Sequence, residues 1–164
     1  VTTRAWQASS ASANSSKDGA PLSDIQQAVV VSEQLVQEAP QNAEARWRLA
    51  LVYKDAGREI DAVRVANEAR AMGYKFSLVR EFQWLINYYI DQRDYEQLAI
   101  LYQKATQITP NDDKMWEGLA AVNLELKRYE AARLAAIKVG EVKPERQKEV
   151  DAFLKQIDSL SQQP

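Results

Sequence analysis

Residues 116–144 read WEGLAAVNLELKRYEAARLAAIKVGEVKP. Trp116, Leu119, Ala120 and Asn123 set out one apolar face at helical spacing, and Ala132, Ala136, Val139 and Pro144 set out a second face and its stop. The same order of residue types stands upstream as Phe82, Leu85, Ile86, Tyr89, Leu98, Tyr102, Ala105 and Pro110. A third copy is Leu49, Ala50, Tyr53, Gly57, Ala62, Ala66 and Ala69, with Tyr74 where the closing Pro would fall. Leu85 to Leu119 is 34 residues and Leu49 to Leu85 is 36. A supersecondary unit that recurs at such a period cannot bury its apolar face alone and stacks on its neighbours.

The period and the residue order together resemble the tetratricopeptide repeat family, whose unit is 34 residues with a W-x2-L-G-x2-Y, A-x3-F and Pro pattern. The resemblance covers residues 23 to 146. It implies an all-α fold, a right-handed superhelix of antiparallel helix pairs. The pairs are expected at 43–56 with 59–72, 78–91 with 94–107, and 113–126 with 129–141, in repeats spanning 43–76, 79–112 and 113–146. Gly57 suits the tight turn within the first pair, and Asp94 with Gln97 suits a helix N-terminus. The two surplus residues between the first two repeats fall near Gly73 to Ser77. They lengthen the loop there, and Tyr74 and Phe76 take the place of the absent Pro.

Both ends depart from the period. Ser23 with Gln26 forms a capping box that opens a helix, and Ala28, Ser32, Leu35 and Pro40 match the second half of a repeat (residues 23–42). Its first half is missing, because residues 1–22 are a Ser- and Ala-rich tail too poor in apolar residues to order by itself. Trp6 is the one large aromatic before residue 47, and with Ile25 and Val29 it makes a self-assembly surface in which the tail covers an open solenoid end. At the other end Val150, Phe153, Leu154, Ile157 and Leu160 draw one apolar stripe on a capping helix over 145–160, whose polar back closes the array. The TPR domain as a whole spans 23–160.

The 164 residues are 46% apolar and 27% charged with a formal charge of −2, a globular composition without the basic excess of a nucleic-acid binder. Cysteine and histidine are both absent, which removes zinc sites, thiol nucleophiles and histidine acid–base chemistry. The adjacent carboxylates Asp112 with Asp113, and Asp91 with Asp94, stand at helix starts and turns where Asp serves as a cap. No enzyme activity, cofactor or metal is expected. No apolar run reaches the ~18 residues of a membrane span, so no direct membrane insertion is expected either. The chain begins with Val1, which fits a processed exported protein or a piece of a longer one. Asn14-Ser15-Ser16 is the one N-glycosylation sequon, so Asn14 is a glycan acceptor if the chain is exported. An extracellular or cell-surface location is expected, with the cytoplasm as the alternative.

In the family the first helix of each repeat lines the concave face. On that face the resemblance places Trp47, Leu51 and Lys54 of the first full repeat, Arg80, Gln83 and Asn87 of the second, and Lys114, Glu117 and Ala121 of the third. The first six are the partner-binding candidates, with Trp47 as the aromatic anchor. The family's carboxylate clamp for chaperone tails is not reproduced. Asn87 matches its middle element, but Trp47 and Leu51 replace the first pair, and Glu117 and Ala121 replace the third. A groove of mixed character suits a protein or peptide partner. The leading function is a non-enzymatic interaction or assembly scaffold that forms homo-oligomers. The stretch from Phe76 to Tyr102 and the closing Glu149 to Leu154 are also similar to the tetratricopeptide tails of bacterial O-antigen-ligase-like membrane proteins. The alternative function is therefore a soluble accessory domain of such a polysaccharide ligase.

Overall fold

The computed structural model of the chain describes residues 22–162; Trp6 and Asn14 lie outside them. All regular structure among the described residues is helical, with no strand. The helices pair as the 34-residue period requires. They fall into two compact units that divide between Lys75 and Phe76, within the segment that holds the two surplus residues.

The first unit contains α1 (Asp24–Glu38), α2 (Ala43–Asp55) and α3 (Glu59–Ala71). Ser23 and Gln26 form the expected capping box: Ser23 N donates to Gln26 Oε1 at 2.9 Å, and Gln26 N donates to Ser23 Oγ at 3.4 Å. Asn42 caps α2 by accepting from Ala45 N at 3.0 Å. Gly57 turns the chain between α2 and α3 at φ +73°, a conformation in which a Cβ is strained. Ala50, Ala62, Ala66 and Ala69 are fully buried, so the interface between α2 and α3 is built from small side chains that let two backbones approach closely. α1 packs on α2, yet none of its residues is fully buried.

The second unit contains α4 (Gln83–Gln92), α5 (Tyr95–Ile108), α6 (Asp113–Glu125), α7 (Tyr129–Val142) and α8 (Gln147–Ser161). A helix expected from residue 78 starts instead as a 3-10 turn at Val79–Glu81, and α4 begins at Gln83. The cause is Phe82, which is fully buried against the ring of Phe76 at 4.6 Å and has a φ of −119°, outside the α-helical range. The last helix likewise enters through a 3-10 turn, Pro144–Arg146, with Pro in its first turn where a missing N–H costs nothing. Asp94 and Asp112 cap α5 and α6 by accepting from Gln97 N at 3.1 Å and Lys114 N at 3.0 Å. Thus two of the four paired carboxylates are helix caps.

Leu85, Ile86, Leu98, Leu101 and Ile157 are among the fully buried side chains of this unit. Towards its end Ala120, Ala135, Ala136, Val139 and Val150 form one cluster, against which Trp116, Leu119, Phe153 and Leu154 pack with part of their surface exposed. Gly118 sits in α6 because the ring of Tyr102 occupies the space a Cβ would need. α8 therefore covers the face that α7 would show to a further repeat, which is the role expected of a cap.

Candidate functional site

Of the residues expected to bind a partner, Trp47 is corrected by the structure. It is 2% exposed and stacks on Tyr74, with centroids 5.4 Å apart and planes 16° from parallel. Tyr74 replaces the missing Pro by supplying a half-buried ring that closes over Trp47, and Trp47 belongs to the core of the first unit. Leu51 is half-buried beside it on α2, and Lys54 is exposed with its Nζ 2.8 Å from Asp55 Oδ1. In the second unit Arg80 is exposed but lies in the 3-10 turn rather than on α4. Gln83 and Asn87 share one face of α4, joined by a 3.1 Å hydrogen bond from Gln83 Nε2 to Asn87 Oδ1. Of the expected residues, Leu51 and Lys54 thus remain at the surface of the first unit, and Arg80, Gln83 and Asn87 at that of the second.

Of the residues expected to take part in self-assembly, Ile25 and Val29 fall among the described residues and lie on α1. Ile25 and Val30 are each 38% exposed, Val31 is 56% and Leu35 is 51%, whereas Val29 is half-buried. Leu22, Ile25, Val29, Val30, Ala56 and Arg58 line an open groove of about 440 Å³ along this helix. The helix is held from beneath by Tyr53 and Arg58. Tyr53 Oη donates to Glu33 Oε1 at 2.6 Å, and the Arg58 guanidinium lies 4.2 Å from the Tyr53 ring centre.

A second site lies in the second unit, between α6, α7 and α8. Its cleft of about 250 Å³ has a floor of Ala120, Ala121, Ala136, Val139, Val150 and Phe153. Glu117, Arg146 and Glu149 form its charged rim. Arg146 gives five hydrogen bonds from its five donors: Nη1 to Asp113 Oδ2 at 2.6 Å and Glu117 Oε2 at 3.2 Å, Nη2 to Glu117 Oε1 at 2.9 Å and Glu149 Oε2 at 2.7 Å, and Nε to Glu149 Oε2 at 3.0 Å. The hydrogen bonds from Arg146 hold the carboxyls of Asp113 and Glu117 below the usual carboxylate range, and in return the guanidinium is still harder to deprotonate.

Glu117 and Ala121 were placed on the concave face by sequence; Arg146, Glu149, Val150 and Phe153 were not. One signal for Arg146 was available. It occupies the N-cap of α8, where the helix dipole disfavours a cation, so it had to be held by nearby acids.

No helix of the described residues is long and apolar enough to cross a membrane. No family model matches the chain, and no curated protein matches it. Solved structures of MamA do resemble it. One MamA crystal structure is 15% identical over 83% of this chain and 78% of that chain, with a TM-score of 0.51. Another, designated AMB-1, is 16% identical over 85% of this chain and 84% of that chain, with a TM-score of 0.53. At this identity the likeness is one of fold, and with the helix pairing above it makes the chain an all-α tetratricopeptide-type solenoid.

Proposed function

We propose that this chain is a non-enzymatic protein-interaction scaffold that associates with copies of itself through the outer face of α1. The observation that supports it is the exposure of Val31 and Leu35, more than half of each, on a helix that buries no residue completely. Burial of that apolar surface contributes ~25 cal/mol per Å² removed from water. Among the described residues no helix precedes α1, and in this proposal a second molecule supplies the burial. An extracellular setting belongs to the same proposal and rests on the Ser-rich tail and its sequon. No observation in the described residues favours the ligase-accessory alternative.

Size-exclusion chromatography with light scattering tests the association. The full chain is expected to exceed its monomer mass of 18.6 kDa in a concentration-dependent way. Val31→Glu with Leu35→Glu is expected to return it to a monomer with unchanged helical circular dichroism, and deletion of residues 1–16 to weaken association. A full chain that stays monomeric at every concentration rejects self-association.

A further inference from the structure

We infer that the cleft between α6, α7 and α8 is a docking site for a peptide segment that carries one large apolar side chain flanked by lysine or arginine. The inference rests on the reading of the chain as a protein-binding module and names the chemistry of a partner.

The size of the cleft selects the class of ligand. At about 250 Å³ it falls below the ~300–1,000 Å³ usual for a small-molecule or cofactor site, and suits a single protruding side chain. Its floor of alanine, valine and phenylalanine offers that side chain no polar partner, so the group that enters must be apolar.

The rim selects the charge. Among the described residues Arg146 is the one cation lining the cleft, but each of its donors is already used and its side chain is only 11% exposed. It has nothing to offer a carboxylate or phosphate, so an acidic ligand gains no hydrogen bond there. Lys114 Nζ stands 3.1 Å from Glu117 Oε2 and offsets part of that charge. Glu149 is different: its hydrogen bonds to Arg146 use Oε2, and its side chain is 66% exposed. An ammonium or guanidinium arriving with the apolar side chain meets Glu149 Oε1 at the mouth of the cleft. The polarity is the reverse of a carboxylate-binding clamp.

The test uses the full chain, isotope-labelled for amide NMR, and three blocked peptides: Ala-Lys-Leu-Lys-Ala, Ala-Glu-Leu-Glu-Ala and Ala-Lys-Ser-Lys-Ala. The Lys-Leu-Lys peptide is expected to give saturable shifts at residues 117–121 and 149–153, with a Kd in the millimolar range that small ligands reach. The other two are expected to bind at least ~10-fold more weakly, since each loses one of the two contacts. Glu149→Lys and Ala121→Lys are both at exposed positions, and each is expected to weaken the Lys-Leu-Lys peptide by a similar factor. Equal binding of all three peptides, shifts that map elsewhere, or unaltered affinity in both variants overturns the inference. Light-scattering mass is read on the same samples. A chain that is monomeric yet binds the peptide refutes the self-association proposal alone, and an oligomer that ignores the peptide refutes the docking site alone.

Discussion

Tyr53 donates its hydroxyl hydrogen to Glu33 Oε1 at 2.6 Å and thereby ties α2 to a helix that has no fully buried residue of its own. Arg58 completes the tie, lying over the Tyr53 ring at 4.2 Å with Nη1 3.5 Å from the same Glu33 oxygen. Tyr53 is 5% exposed, so the hydroxyl is well screened from water and its partner matters more than it would at the surface. Val31 and Leu35 on the opposite side of α1 stay more than half exposed, while Glu33 is held in register.

Burial first, and the hydrogen bond to Glu33 second, push the Tyr53 phenol up from 10.0 to about 12. A raised folded value means that the folded state holds its proton more tightly. The stabilisation is complete below the unfolded value near pH 10 and is lost as pH rises towards 12. Tyr53→Phe is expected to cost about 1–2 kcal/mol at pH 7 and to flatten the alkaline loss of stability. Urea melts of both proteins at pH 7 and pH 11 measure this, and parallel losses would show that another group controls the alkaline limb.

Gly57, Arg93 and Lys127 occupy the same position in the three repeats, and all turn the chain with φ between 53° and 73°. Only the first is a glycine. A left-handed conformation costs a residue with a Cβ ~1–2 kcal/mol, partly offset by the greater unfolded-state entropy of glycine. Lys127→Gly is thus expected to stabilise the second unit by about 0.5–1 kcal/mol, visible as a higher urea midpoint with an unchanged slope. A lower midpoint would mean that the lysine side chain contributes more than its strained backbone costs.

Those turns illustrate what the sequence could and could not display. The helix pairs were legible because Ala50, Ala62, Ala66, Ala120, Ala132 and Ala136 recur at the period and are buried where it places them. The turns at Arg93 and Lys127 left no local signal, since only the repeat register marks them as equivalents of Gly57. The 3-10 entry before α4 was hidden because it depends on Phe76 and Phe82 meeting as a pair, whereas a periodic pattern treats each as one more apolar position. Trp47 misled for a related reason. It stands one residue off the usual aromatic position, and only the Tyr74 ring stacked on it explains why. The cleft in the second unit was half legible, through Glu117 and Ala121, because its other wall is a cap outside the repeat pattern.

As a core residue, Trp47 has a different mutational signature from a surface anchor. Trp47→Ala is expected to cost about 3–5 kcal/mol, with Tyr74 left facing a void. Trp47→Phe keeps a ring against Tyr74 and should recover most of that loss. Thermal melts followed at 222 nm decide between the two roles. A stable, fully helical Trp47→Ala protein that has lost only partner binding would restore Trp47 to the surface.

Arg146 joins α6 to α8 through Asp113, Glu117 and Glu149, so it governs how the cap closes the second unit and how the acid limb of its stability curve behaves. Its hydrogen bonds depress the carboxyls of Glu117 and Asp113. A depressed folded value gives stability that is present above the unfolded value, ~4, and is lost as pH falls through the folded one. Arg146 itself stays protonated throughout this range and adds no pH dependence. Arg146→Gln is expected to lower stability by about 1–3 kcal/mol at pH 7, towards the low end because Glu117 and Glu149 are open to solvent. The gap between wild type and variant should then shrink below pH 4, as the carboxyls that distinguish them are neutralised. Urea melts at pH 7, 5 and 3 provide the comparison. A gap of constant size would assign the effect to packing of the arginine stem against the apolar floor rather than to its charge.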